Sequence, residues 1–141
     1  MIRYAVADDF YKIMDIENAC FPYPYTENEM ISLLASNEAR VIESKEIVMG
    51  YMCYRKTKQG NYLIESLAVH PKFQRKGYGK EAVDYLKKFL QGEKVIAYVA
   101  EFNTDAHLFF KKNGFKCTRI VKGRYDCDEL SYRFVWRKDG N

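Results

Sequence analysis

Residues 65–91 read ESLAVHPKFQRKGYGKEAVDYLKKFLQ, a stretch that changes periodicity twice. Leu67, Ala68 and Val69 make the apolar end of a buried strand, and Pro71 stops it. Further on, Ala82, Val83, Tyr85, Leu86, Phe89 and Leu90 recur at helical spacing, with Lys80, Asp84, Lys87 and Lys88 off the stripe. Between strand and helix stands Gln74-Arg75-Lys76-Gly77-Tyr78-Gly79. Glycines just ahead of a helix let the backbone bend so that successive N–H groups face one point, and the helix N-terminus adds partial positive charge there. Arg75, Lys76 and Lys80 supply full charges. A turn of this kind binds phosphate, and a pyrophosphate is its expected occupant.

The 141-residue chain is expected to form one domain, with 48% hydrophobic and 30% charged residues typical of a globular protein. No apolar run is long enough to cross a membrane, and Arg3, Asp8 and Asp9 argue against a secretory signal. Cys20, Cys53, Cys117 and Cys127 form no CxxC pair and no zinc spacing with histidine, so no metal site is expected. They read as free thiols of a cytoplasmic protein. Charge is unevenly spread. Residues 1–50 carry nine acidic and four basic side chains, a net of −5, and residues 51–141 carry ten and nineteen, a net of +9. A basic C-terminal half suits a phosphate-rich ligand and an acidic N-terminal half a cationic one.

Ile2 to Val6 alternates as a strand, and Asp8 is placed to cap a helix bearing Phe10, Ile13 and Met14 on one side. Two prolines in Cys20-Phe21-Pro22-Tyr23-Pro24-Tyr25 force an extended or turning path, a candidate wall for an acceptor substrate or else an apolar connection. Thr26 and Glu29 form a capping box for a second helix. Ala39–Ser44 and Ile47–Arg55 read as a hairpin around Lys45-Glu46, with Gly50 marking a bulge. A strand from Tyr62 to His70, a short strand from Val95 to Val99 and a helix from Thr104 to Asn113 follow. Two strands joined by an acidic turn, Phe115–Tyr125 and Glu129–Trp136, complete the chain.

The glycine turn is not a Walker loop, because Glu81 follows Gly79-Lys80 where Ser or Thr is needed. It matches G-x-G-x-x-A, but Pro71–Lys76 separates the strand from the first glycine, which a dinucleotide fold does not allow. The pattern Gln74-x-x-Gly77-x-Gly79 after Leu67-Ala68-Val69-His70-Pro71 resembles the GNAT family of acetyl-CoA-dependent N-acetyltransferases. The likeness continues through Asn103 and through Phe109-Phe110-Lys111-Lys112-Asn113-Gly114-Phe115 and spans essentially the whole chain. Glu17–Tyr25 and the ending around Arg124-Tyr125 look closest to RimI-type acetyltransferases of protein N-termini.

That resemblance implies an α/β fold. Its sheet has six to seven mostly antiparallel strands with two central parallel strands that splay apart, and about four helices flank it. It implies acetyl-CoA as co-substrate, its pyrophosphate on the N–H groups of Gln74, Arg75, Lys76, Gly77, Tyr78, Gly79 and Lys80. The pantetheine arm would follow Leu67, Ala68 and Val69, with Asn103 bonded to it and Phe110 near the sulfur. A neutral primary amine would attack the thioester directly. Because an α-amine titrates near 7.7–8.0 and lysine near 10.4, a base is needed. Glu65, two residues before Leu67 on the same strand face, is the candidate, with His70 a poorer one at the strand end. Tyr98 stands where RimI-like enzymes usually carry glutamate, and Phe110 where they carry a tyrosine acid, so either Tyr125 protonates the thiolate or it leaves unassisted. The acceptor is a primary amine: a protein N-terminus, a lysine, a polyamine or a small amine. A monomer or homodimer is expected. Two alternatives stand beside this reading. One is an acyl-CoA-binding sensor or partner module with little turnover. The other is a nucleic-acid-binding domain, which no recognised reading motif supports.

Overall fold

The computed structural model describes residues 1–123 and 129–140. The strands among them are β1 (Ile2–Tyr4), β2 (Glu38–Ser44), β3 (Ile47–Lys56), β4 (Tyr62–Val69), β5 (Lys94–Ala100), β6 (Lys116–Lys122) and β7 (Leu130–Arg137). The α-helices are α1 (Phe10–Cys20), α2 (Glu27–Ser36), α3 (Tyr78–Phe89) and α4 (Thr104–Lys112). The strands form one sheet in the order β1-β2-β3-β4-β5-β7-β6. β4 and β5 are parallel, whereas β1–β2, β2–β3, β5–β7 and β6–β7 are antiparallel. This is the mixed α/β sheet that the resemblance implies. The parallel ladder joins Tyr62 to Val95, Leu63 to Ile96 and Ile64 to Ala97 and ends there. The chain divides into two compact units, Met1–Arg55 with Glu65–Tyr85, and Lys56–Ile64 with Leu86–Asn141.

In the first unit, the helical spacing of Ile13, Met14 and Ile16 turns one face of α1 onto Val41, Val48, Tyr51 and Cys53 of the hairpin and Met30 of α2. The α2 capping box forms as read: the Thr26 hydroxyl accepts from the Glu29 N–H at 3.2 Å, and Glu29 accepts from the Thr26 N–H at 2.9 Å. Lys45 and Glu46 both take left-handed φ values, 51° and 65°, which matches the two-residue turn to the twist of the strands. Met49 is the extra residue at the bulge, since Ile42 faces Gly50 and Glu43 faces Val48. Gly50, which flanks that bulge as expected, is also a close approach. A Cβ there would lie 2.7 Å from the Ala68 carbonyl oxygen.

In the second unit, Asn61 explains how two parallel strands start in register without a turn between them. It is buried, and its Oδ1 accepts from the Glu93 and Lys94 N–H groups at 2.9 and 3.0 Å, tying the residue before β4 to the start of β5. Phe110 packs between Phe115 and Phe134, with ring centroids 5.0 and 6.0 Å apart. Gly114 ends the connection after α4 at φ 87°, the left-handed geometry that glycine adopts freely. Phe89 leaves the apolar stripe of α3: it is 49% exposed, with the Lys88 ammonium 5.5 Å from its ring.

The expectation that Asp8 caps the first helix is corrected: Asp9 holds the N-cap position of α1, and its side chain makes no capping hydrogen bond to that helix. Asp9, 2% exposed, accepts from the Val6 N–H at 2.8 Å and takes both Arg3 Nη atoms at 2.9 and 3.0 Å. Both residues lie in the 3-10 turn Ala7–Asp9 ahead of α1, where Asp8 is exposed and Asp9 is buried. The Arg3 hydrogen bonds hold the Asp9 carboxyl below its ordinary range, against the opposing effect of burial. A carboxyl whose folded pKa lies below its unfolded one contributes stability above about pH 4 and loses it as pH falls further. Asp9→Asn is therefore expected to cost roughly 2–3 kcal/mol at neutral pH, below the range for a fully buried pair because Arg3 keeps partial exposure. Urea midpoints of wild type and variant should converge as pH drops from 7 toward 3, and parallel profiles would refute the pair's role.

Candidate active site

The strand–turn–helix piece lies in the first unit as far as Tyr85. β4 ends at Val69, Pro71–Phe73 forms a 3-10 turn, and α3 begins at Tyr78. The His70 Nδ1 accepts from the Lys72 N–H at 3.1 Å, so His70 caps the short turn. Arg75 takes φ 64° and Gly77 φ 89°. Two left-handed residues interleaved with right-handed or extended ones curl the N–H groups toward one side, the geometry of an anion-binding nest. Arg75 makes one of these bends without being glycine, a conformation that costs of order 1 kcal/mol and is held where structure over-determines it. Gly79 differs from its expected role, since it lies within the first turn of α3 and has no positive φ. Among the described residues, no protein acceptor takes a backbone N–H from Gln74 through Lys80; the first bond of the helix runs from Glu81 N–H to the Gly77 carbonyl.

The side chains around the turn divide by partner. Lys80 pairs with Asp84 one helical turn on, at 2.5 Å, an exposed pair of small energetic weight. Arg75 and Lys76 are exposed, and among the described residues neither joins an ion pair. Gln74 folds back, its Nε2 donating to the Val69 carbonyl at 2.8 Å. The same carbonyl accepts from the Cys20 thiol at 3.2 Å. Burial pushes that thiol up to about 11, and the nearby Glu17 charge adds to the shift.

Glu65 is half-buried, and its carboxylate takes Arg55 Nε at 3.2 Å. Ser66, on the opposite face of β4, contacts the Tyr51 hydroxyl at 2.7 Å. That hydroxyl also donates to Glu17 Oε1. Glu17 is 2% exposed, and burial raises its carboxyl above the ordinary range, with the Tyr51 and Tyr25 hydrogen bonds opposing the shift. No role for Glu17 follows from composition. The signal that finds it is a carboxylate three and four residues beyond Met14 and Ile13, inside the apolar stripe of its helix.

In the second unit, Asn103 caps α4, its Oδ1 accepting from the Ala106 N–H at 3.2 Å. Phe110 is buried. Tyr98 lies opposite Arg133 on β7, and Arg119 lies opposite Arg133 on β6. Burial raises the Tyr98 phenol, but hydrogen bonds from Arg119 and Arg133 outweigh it and hold the group below its ordinary value. Tyr125, the other candidate catalytic residue, lies outside the described residues.

A left-handed nest followed by a helix, at the end of the strand that opens a parallel pair, defines an acyltransferase of the GNAT type. The family model for the acetyltransferase (GNAT) family matches residues 10–115, and the chain belongs to that family; it is an N-acetyltransferase. A ribosomal protein bS18-alanine N-acetyltransferase from Haemophilus ducreyi is 26% identical over 130 residues, covering 89% of this chain and 88% of that protein. Among solved structures, Ard1 from Thermoplasma volcanium superposes with a TM-score of 0.82 at 22% identity, over 97% of this chain and 96% of its own. Naa50 of Arabidopsis thaliana, in complex with the bisubstrate analogue CoA-Ac-MVNAL, gives 0.76 at 18% identity over 96% of each chain.

The 2.7 Å approach at Gly50 makes the end of β4 sensitive to one methyl group on β3. Gly50→Ala is expected to cost about 1–3 kcal/mol by urea denaturation, and Gly77→Ala, with open space around its Cβ, only about 1–2 kcal/mol of left-handed strain. A reversed order would contradict the close packing.

Proposed function

We propose that this protein transfers the acetyl group of acetyl-CoA to a primary amine, and that the amine is the N-terminus of a protein. The observation that carries the reading is the run of unengaged N–H groups from Gln74 to Lys80, curled by Arg75 and Gly77 and extended by the start of α3. Two linked phosphates are the ligand such a surface fits, because each oxygen can accept from more than one amide. The named relative acts on the alanine of a ribosomal protein, and Naa50 was captured with a coenzyme A–peptide conjugate, which supports both halves of the substrate pair. The acidic N-terminal half supports a cationic acceptor. The free thiols Cys20, Cys53 and Cys117 fit a cytoplasmic protein.

In this mechanism the pyrophosphate seats on Gln74–Lys80 and the pantetheine arm runs along Leu67, Ala68 and Val69. Glu65 takes the proton of the ammonium, directly or through water. The neutral nitrogen attacks the thioester carbonyl carbon, gives up its surplus proton to solvent as the C–S bond breaks, and the thiolate leaves with a proton from Tyr125 or from solvent. Arg55 orients the Glu65 carboxylate through its Nε–H. Holding both reactants in one place supplies much of the acceleration.

Free coenzyme A release from acetyl-CoA and a panel of N-terminal peptides, polyamines and small amines tests the reading; no release above background across the panel would end it. Gly77→Ala is expected to weaken calorimetric coenzyme A binding by about tenfold while leaving the fold intact. Glu65→Gln should lower kcat by about 10²–10⁴-fold with coenzyme A affinity unchanged. Equal turnover in Glu65→Gln would remove Glu65 as the base.

A further inference from the structure

Glu17 is a buried carboxylate for which the mechanism has no task. Glu17 sits near the end of α1, is 2% exposed, and belongs to the first unit with all of its partners. Its backbone carbonyl accepts from the Phe21 N–H at 3.1 Å, and its Oε2 accepts from the Tyr25 N–H at 3.0 Å. One residue thus holds both ends of the segment Phe21-Pro22-Tyr23-Pro24-Tyr25. The prolines have no N–H to give, so Tyr23 carries the segment's one backbone donor outside these two bonds. Tyr23 is also 84% exposed. The other carboxylate oxygen takes the Tyr51 hydroxyl, which contacts Ser66 on β4 at 2.7 Å. Beside it, Cys20 donates its thiol to the Val69 carbonyl. The segment is therefore tied to the strand that the proposed pantetheine arm follows.

We infer that Glu17 is a positioning residue, which holds the Phe21–Tyr25 segment as a preformed wall for the acceptor and fixes that wall to β4 through Tyr51 and Ser66. The inference rests on the acetyltransferase reading. A carboxylate suits this post because it accepts on both oxygens at once, whereas each of its partners here is a donor. Burying it is costly, and burial does raise its pKa. An apolar residue would fill the position at less cost and leave the Tyr25 N–H unanswered. Tyr51, Cys20 and Cys53 are the other titratable groups that feel its charge, all three pushed up mainly by burial, and among the described residues no ion pair includes Glu17. Geometry, rather than an ion pair, is what the carboxylate supplies.

The test compares wild type with Glu17→Gln and Glu17→Ala. Glutamine can keep every bond: its Oε1 accepts from the Tyr25 N–H, its Nε2 donates to the Tyr51 oxygen, and the Tyr51 hydroxyl turns to donate to Ser66. Alanine keeps none. With acetyl-CoA and a hexapeptide bearing a free N-terminal alanine, Glu17→Ala should raise the peptide KM about tenfold, the worth of one charge-assisted hydrogen bond, and leave the acetyl-CoA KM within about twofold. Glu17→Gln should stay near wild type in both. Amide hydrogen exchange of the wild type supplies a readout independent of activity and of whether Glu17→Ala folds. The Tyr25 amide should be protected and the Tyr23 amide open, and Glu17→Ala should open Tyr25 as well. An unprotected Tyr25 amide in wild type, equal rises in both KM values, or a glutamine variant as impaired as alanine would overturn the inference. Absence of acetyl transfer by wild type would instead strike the parent reading and leave the exchange comparison to judge the clamp.

Discussion

A folded chain rarely leaves peptide N–H groups without an acceptor, because each one withheld from both water and carbonyl partners raises the free energy of the native state. Between β4 and α3 this protein gathers a run of them on one exposed turn, from Gln74 to Lys80. Two conditions make that possible. Arg75 and Gly77 adopt left-handed φ values that prevent the turn from closing its own hydrogen bonds, and α3 starts at once, so its first N–H groups are orphans by construction. Everything around the turn keeps it in place: Pro71 ends the strand, His70 caps the 3-10 turn, and Gln74 returns its side chain to Val69.

The charged residues divide by what surrounds them. Asp9 and Arg3 form a pair with good geometry and little water, so it adds to stability. Lys80 and Asp84 form an exposed pair on α3 whose energetic weight is small. Glu17 joins no ion pair among the described residues and is held by donors. A count of ion pairs would rank these wrongly, since desolvation and hydrogen-bond geometry decide what each contributes.

The two ends of the parallel pair are handled differently. At the start, Asn61 ties β4 to β5 with two hydrogen bonds from one side-chain oxygen, and the ladder runs for three residue pairs. Past Ile64 and Ala97 the ladder stops. The Gly50 approach then brings the β3 backbone against Ala68, so the far half of β4 is braced by β3 within the first unit.

Much of this was legible from residue order. The 3.6-residue stripe of α3, the Thr26–Glu29 capping box and the hairpin turn at Lys45-Glu46 follow from local chemistry: side-chain spacing, a cap within three residues, and a tight two-residue reversal. The same holds for the family, because the glycine pattern, Pro71 and Asn103 stand at short fixed spacings that the backbone must respect. What residue order could not supply depends on neighbours far along the chain. Asp9 rather than Asp8 binds Arg3, Gly50 beside its bulge is also a close contact with β4, Phe89 points to solvent, and Glu17 lies buried beside Tyr51. Each of those outcomes rests on which side chain meets which across strands and helices, and a one-dimensional pattern carries periodicity but not the partner.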